Sequence, residues 1–230
     1  MRKFRTMAGI ALLCAAGAVL AACGGSGPQP AETDSTGHAA METLPVQFRV
    51  AFMSGHVEAG LALYRAGVPD QAARHLLHPV SETHAAEREG IDALGFDPAI
   101  FHQVSAALEE GRPAAEIEPM LAAAEANLAL LQENAGGDAR TIIAYLMDVT
   151  AEEYNIGVTG GEITDPGEYQ DAYGFSVVAA RLARRTGDDD LIAAAAALAA
   201  LWPEGGPVAA SSPAPVADVM AGINAVRAAL

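Results

Sequence analysis

Residues 138–186 decide the fold class, and they read DARTIIAYLMDVTAEEYNIGVTGGEITDPGEYQDAYGFSVVAARLARRT. Apolar side chains return every three or four positions through 138–159 and again through 166–186, which is the spacing of amphipathic helices. Asp165-Pro166 places an N-cap acid before a first-turn proline at the start of the second helix. Because the connection between the two runs is short, we predict that these helices are antiparallel neighbours.

The same spacing extends outward along the chain. It predicts further helices at 46–66, 69–90, 97–111, 113–135, 188–201 and 214–229. No stretch alternates between apolar and polar residues, and the many alanines favour helices that pack closely. We therefore predict an all-α fold, an antiparallel bundle of about six to eight helices within one helical domain at 45–230.

The chain opens with three basic residues, Arg2, Lys3 and Arg5, followed by an uncharged apolar run over 7–22. This pattern is typical of a secretory signal, and the run is shorter than the ~20 residues of a membrane-spanning helix. Leu20-Ala21-Ala22-Cys23 resembles the bacterial lipobox. The resemblance implies removal of residues 1–22 and lipid attachment, palmitate included, at Cys23. An ordinary secretory signal with a chance cysteine is the alternative.

Residues 23–44 are rich in Gly, Ser, Pro and Thr, and we predict a flexible tether there. With Cys14 in the signal and Cys23 lipidated, the folded part has no thiol for a disulfide or a metal. Removal of the signal leaves 10 of the 13 basic residues against 29 acidic ones, a formal net charge of −19. Such a surface argues against nucleic-acid binding and is compatible with cations as ligands.

Three carboxylates stand on apolar helix faces. Glu153 interrupts the apolar stripe of helix 138–159, whereas Glu168 and Asp171 begin the stripe of helix 166–186. Antiparallel packing would bring them together, and they would repel each other unless a cation or a proton joined them. We therefore predict a metal site formed by Glu153, Glu168 and Asp171. For Glu168, a capping box with Asp165 is the alternative.

Histidines offer further ligands. His56 falls on the apolar side of the first helix, so it is a fourth predicted ligand, or else a core histidine bonded to a carbonyl. His75, His78 and Glu82 share one face of the second helix, and such a set suits zinc, iron or copper. The alternative is a solvated polar face, although Pro79 interrupts the helix and could turn His78 inward.

Three short stretches together resemble the periplasmic helical domain of bacterial iron permeases, and through it the imelysin-like iron-uptake lipoproteins. The stretches are Tyr145 to Tyr154, Gly160 to Ile163 and Glu168 to Phe175. Gly55-His56-Val57-Glu58 is a looser match to the imelysin His/Glu motif, with different spacing. The resemblance implies a helical bundle that presents Glu and Tyr side chains to a metal, with iron first and copper or zinc as alternatives.

No enzymatic signature is present: the sequence lacks GxSxG, P-loop and HExxH motifs and a cysteine-based site. We therefore expect a non-enzymatic, metal-binding lipoprotein that faces the periplasm and assists a membrane permease or another envelope protein. The alternative is an envelope adaptor built on a helical repeat. It rests on a loose tetratricopeptide-like pattern at Gly55, Leu61, Tyr64, Gly67 and Ala72, for which no second copy is evident.

Overall fold

The structure is a computed structural model, and it describes residues 44–81, 88 and 90–230. Within these residues the chain forms eight α-helices and one short hairpin, which confirms the predicted all-α fold. The helices are α1 (Val46–Arg65), α2 (Pro69–Leu77), α3 (Pro98–Glu109), α4 (Ala114–Ala135), α5 (Ala139–Gly157), α6 (Pro166–Thr186), α7 (Asp189–Ala199) and α8 (Val216–Ala229). None of them is long and apolar enough to cross a membrane.

Seven of these helices begin and end within two residues of their predicted bounds, and an aspartate side chain caps the start of four of them, α3, α5, α6 and α7. The Asp165 side chain accepts hydrogen bonds from the backbone N–H groups of Gly167 and Glu168 at the start of α6. Asp97 accepts one from Ala99 in the same way at the start of α3. Gly187 ends α6 in a left-handed conformation with φ of 70°, which suits a residue without Cβ.

The exception is the second helix, for which the prediction of 69–90 was too long. α2 ends at Leu77, and a single 3-10 turn follows at His78–Val80. Pro79 has no amide hydrogen to donate to the carbonyl of His75, so the α-helix cannot continue through it. Residues 82–87 and 89, with the candidate ligand Glu82, lie outside the described part of the chain.

A short hairpin, which the sequence did not predict, joins α5 to α6. β1 (Val158–Thr159) pairs antiparallel with β2 (Glu162–Ile163). Gly160 and Gly161 form its two-residue turn with φ of 65° and 84°, a conformation that glycine adopts without strain. The hairpin reverses the chain, so α5 and α6 run antiparallel as predicted, and Arg140 near the start of α5 pairs with Asp188 just after α6.

The buried apolar side chains form two clusters, and α1 contributes to both. Helices α2, α3 and α4 pack on one side of α1, against Val50, Met53 and Val57. Helices α5 to α8 form the other cluster, which includes Ala51 and Phe52 of α1. Helix α1 is therefore buried on two opposite faces, and any polar residue in its middle is removed from water.

Glycines allow α1 and α6 to make backbone contact at their crossing. A Cβ on Gly174 would lie 1.9 Å from the carbonyl oxygen of Gly55, and a Cβ on Gly55 would lie 2.1 Å from the Phe175 ring. Both distances are far below any tolerated contact. A larger residue at Gly174 would meet backbone and force the helices apart, and one at Gly55 would displace the Phe175 ring. His56 follows Gly55 directly, and Asp171 precedes Gly174 by about one turn.

We expect Gly174→Ala to destabilise the protein by about 1–3 kcal/mol, the usual cost of an overpacked contact. This loss would exceed the gain of about 1 kcal/mol that alanine brings to a helix interior. Urea denaturation followed by circular dichroism measures the change. Gly205→Ala is the matched control, because a Cβ at Gly205 meets nothing within 4 Å. Equal stability of the two variants would show that the helices do not depend on this contact.

Candidate metal centre

Four helices each bring one ionisable side chain into the region where the two apolar clusters meet. They are His56 of α1, His75 of α2, Glu153 of α5 and Asp171 of α6. Relative exposure is 2% for His56 and Glu153 and 8% for His75 and Asp171. Ionisable groups are rarely so buried unless they are paired or bind a metal, so each needs a partner here.

Asp171 joins the two imidazoles. Its Oδ1 lies 2.6 Å from Nδ1 of His56 and 3.0 Å from Nδ1 of His75. Burial opposes ionisation of the Asp171 carboxyl, but the two histidines hold its pKa well below the ordinary value through their charge and hydrogen bonds. These three residues offer ligand atoms that all lie within 4.8 Å of one another. One ion can therefore be held by all three with small side-chain movements.

His75 has hydrogen-bond partners on both ring nitrogens. Its Nε2 lies 2.7 Å from Oε1 of Gln170, and the amide of Gln170 donates in turn to Gln71. Burial lowers the pKa of His75, but the charge and hydrogen bond of Asp171 outweigh it, so the pKa is raised overall. Without a metal, the protonated ring fits between two acceptors. The sequence analysis did not identify Gln170, whose only sequence signal is its place beside Asp171.

His56 lies in an aromatic pocket. Its ring meets Phe52 and Phe175 edge-on and stacks on His78 with centroids 3.4 Å apart. With Nδ1 on Asp171, its Nε2 is buried and has no hydrogen-bond partner in the described part of the chain. An unsatisfied buried nitrogen costs free energy, and a metal ion would satisfy it.

Glu153 and Glu168 form an adjacent carboxyl pair. Burial, the hydrogen bond and charge of Glu168, and the charge of Asp171 raise the pKa of Glu153 to about 10. At neutral pH Glu153 is therefore protonated, and its buried Oε2 has no partner among the described residues. The alternative for Glu168, a complete capping box, does not form, because the backbone N–H of Asp165 donates to the carbonyl of Gly157.

The predicted residues thus divide into three sets. Helix packing joins His56 and Asp171 as expected and adds His75, whereas Glu153 and Glu168 lie next to this group but outside it. Of the predicted set His75, His78 and Glu82, the two histidines line one cavity although α2 ends at Leu77, and Glu82 lies outside the described residues, so a site formed by all three stays a prediction. Among the residues of the looser imelysin-like match, Glu58 pairs with Arg181 instead of joining the group.

A cavity of about 320 Å³ lies beside the group, and its lining includes both members His75 and Asp171. Arg74, His78, Asp165 and Gln170 complete its polar lining. A small hydrated ion has room to approach the two residues from this side. The donors are imidazole nitrogen and carboxylate oxygen with no thiolate, a combination that suits iron, zinc or copper.

We expect Glu153→Gln to stabilise the metal-free protein at pH 8. A raised carboxyl pKa means that the folded state keeps a proton which the unfolded chain has lost, so wild-type stability falls as pH rises from 5 to 8. One such proton contributes a slope of up to about 1.4 kcal/mol per pH unit. Glutamine mimics the neutral acid and removes that slope. Thermal melts of both proteins between pH 5 and 8 measure the difference.

Glu152→Gln is the control for this comparison, because Glu152 is the half-buried neighbour of Glu153 on the same helix. The raised pKa of His75 also makes stability fall with rising pH, but it does so in all three proteins and cancels in the differences. Parallel stability profiles for wild type and Glu153→Gln would mean that Glu153 is ionised and solvated.

Comparison with known proteins finds a family model that is similar to part of the chain. No curated protein and no solved structure matches the chain. The family model of the iron permease-associated 4-helix bundle domain matches residues 132–229, which span α5 to α8. Glu153, Glu168 and Asp171 lie inside the matched segment, whereas His56 and His75 lie outside it. Over residues 132–229, the chain is therefore similar to the iron permease-associated 4-helix bundle domain, and the predicted resemblance to the helical domain of iron permeases is confirmed there.

Proposed function

We propose that this protein is a lipid-anchored lipoprotein of the bacterial cell envelope that binds iron in the periplasm and passes it to a membrane permease. The observation that carries the proposal is the buried group of His56, His75 and Asp171, whose ligand atoms lie within 4.8 Å of one another. The match to an iron permease-associated domain supports iron over copper or zinc. We propose binding and delivery, without catalysis.

In this proposal His56, His75 and Asp171 each offer one atom to the ion, in exchange for the hydrogen bonds that they make to one another in the metal-free protein. His75 must lose a proton before it can bind a metal, and so must Glu153 if it takes part. Metal binding therefore releases protons, and affinity weakens as the pH falls. A site of this kind would hold iron near neutral pH and give it up more readily in an acidic environment.

The rival hypothesis, an envelope adaptor, expects a concave apolar groove and no converging polar side chains. The buried group of His56, His75 and Asp171 does not fit this expectation, because its polar side chains converge. The glycine at position 55, part of the repeat-like pattern, has a separate explanation, because it allows α1 to touch α6. The described residues therefore favour metal binding over the adaptor.

We expect the full-length protein in detergent to bind Fe²⁺ anaerobically with a dissociation constant well below about 100 μM, a threshold that marks weak binding. His56→Gln and Asp171→Asn should each weaken binding at least tenfold. His56→Gln removes an imidazole ligand, and Asp171→Asn removes the negative charge of the group. Isothermal titration calorimetry measures the affinities, with Zn²⁺ and Cu²⁺ titrated alongside.

His102→Gln is the matched control, because His102 is exposed on α3, away from the group. Its affinity should equal that of wild type. Melting curves of each variant establish that it is folded before titration. If the wild type binds none of the three metals more tightly than the threshold, or if His102→Gln is as damaging as His56→Gln, the proposed function is wrong.

The anchor has a separate test that uses the two cysteines. We expect cells that express the full chain to incorporate labelled palmitate into the protein and to retain it in the membrane fraction, because several acyl chains give a stable anchor. Cys23→Ser should abolish labelling. Cys14→Ser, within the predicted signal, should keep it. Labelling that survives Cys23→Ser would contradict the lipobox interpretation.

A further inference from the structure

The ligand atoms of His56, His75 and Asp171 would leave part of the coordination sphere of a bound ion open. Oδ1 of Asp171 lies 2.6 Å from Nδ1 of His56 and 3.0 Å from Nδ1 of His75. Two donors that bind one ion at about 2.0–2.2 Å are about 3 Å apart in neighbouring positions and about 4 Å apart in opposite ones. The carboxylate oxygen therefore has the spacing of a neighbour to both imidazoles. Two histidines and one carboxylate arranged in this way bind Fe²⁺ with positions left open.

The open positions need a ligand from outside this group. Within residues 44–81, 88 and 90–230, no fourth histidine, cysteine or carboxylate belongs to it. The cavity of about 320 Å³ meets the group at His75 and Asp171. Pockets for small organic ligands begin at about 300 Å³, whereas one water molecule occupies about 30 Å³. The cavity therefore has room for a small molecule in contact with the ion, and not only for water.

Arg74 brings a positive charge to the same cavity. It lines the wall beside His75, and its guanidinium forms no ion pair or hydrogen bond with another side chain in the described part of the chain. Its side chain is exposed, so it can turn toward a ligand. Asp165 also lines the wall, but its Oδ1 accepts hydrogen bonds from two backbone N–H groups at the start of α6. Arg74 is therefore available to an anion from solution.

We propose that the protein binds its metal together with a small oxygen-donor anion, a carboxylate or a phosphate, which lies in this cavity, ligates the open side of the ion and pairs with Arg74. This inference rests on the proposed function, since the anion binds to the same ion. Oxygen donors suit iron, and both anions match the fork of an arginine guanidinium. Asp171 offsets only one of the two charges of Fe²⁺, so an anion also lowers the cost of burying the ion. The cargo is then a metal–anion complex and not the bare ion.

The test measures iron and anion uptake by the same protein. Full-length protein in detergent is dialysed to equilibrium, anaerobically, against Fe²⁺ with radiolabelled citrate or, in a second arm, with radiolabelled inorganic phosphate. Iron and label are counted per chain. We expect one anion for each bound iron in at least one arm, and the arm that shows it identifies the class of anion. Metal-free wild type should take up neither label, because the anion needs the ion as its second contact.

Arg74→Gln tests the contact of the anion with the cavity wall. The substitution should weaken anion uptake about tenfold, the cost of one hydrogen bond to a charged group. It should not weaken the affinity for Fe²⁺ alone, because Arg74 is not a metal ligand. Arg184→Gln is the matched control, since Arg184 is an exposed arginine of α6 that does not line the cavity. This control should take up iron and anion as wild type does, and melting curves verify that both variants are folded.

The outcomes separate this inference from the proposed function. Iron-loaded wild type that takes up neither anion, or Arg74→Gln that takes up as much as wild type, would overturn the inference and leave iron binding intact. Anion uptake without iron would also overturn it, because the anion would then bind elsewhere. Absence of bound iron from wild type in every arm would contradict both proposals.

Discussion

The backbones of α1 and α6 touch at Gly55 and Gly174, and the arrangement of the buried cluster depends on that contact. Helices usually keep their axes 8–10 Å apart because side chains separate them. With glycine on both sides, the neighbouring His56 and Asp171 come within hydrogen-bonding distance. A larger residue at Gly174 would separate a carboxylate and an imidazole that are costly to bury apart. Packing and electrostatics therefore both require α1 and α6 to stay close together where they cross.

The site combines contributions from two parts of the chain. The segment similar to the iron permease-associated domain supplies the three carboxylates, and the helices before it supply the imidazoles. Helix α1 packs in both apolar clusters, so it fixes the position of the imidazoles relative to the carboxylates. Carboxylates alone make a hard, weakly selective site, and imidazoles shift the preference toward transition metals. The preceding helices thus supply the imidazoles on which the proposed preference for a transition metal depends.

Glu153 and His75 of this cluster hold a proton more readily than the same side chains do in water, because their pKa values are raised. Burial and the neighbouring Glu168 raise the pKa of Glu153, and burial lowers the pKa of His75 less than the charge and hydrogen bond of Asp171 raise it. Under the proposed function the same protons would compete with the metal, so the groups that hold a proton in the empty site would also set the pH range of binding.

Periodicity and capping residues were enough to place seven helices within two residues, because these signals are local: apolar spacing, acidic N-caps at Asp97 and Asp165, and Gly187 at a C-cap. The sequence also predicted that Glu153, Glu168 and Asp171 lie at the same end of the antiparallel helices α5 and α6. The end of α2 at Leu77 could not be predicted from the sequence, since proline stops some helices and only kinks others. Nor did it anticipate the hairpin, whose strands are too short to show alternation.

The partner of each buried group was decided by tertiary structure alone. His56 meets Asp171 across 115 residues and His75 meets Gln170 across 95, and no local pattern encodes contacts at such separations. Helical spacing tells which face a side chain lies on, but not which helix covers that face or how close it comes. That distance was set here by two glycines, whose significance appears only when the helices that they join are known.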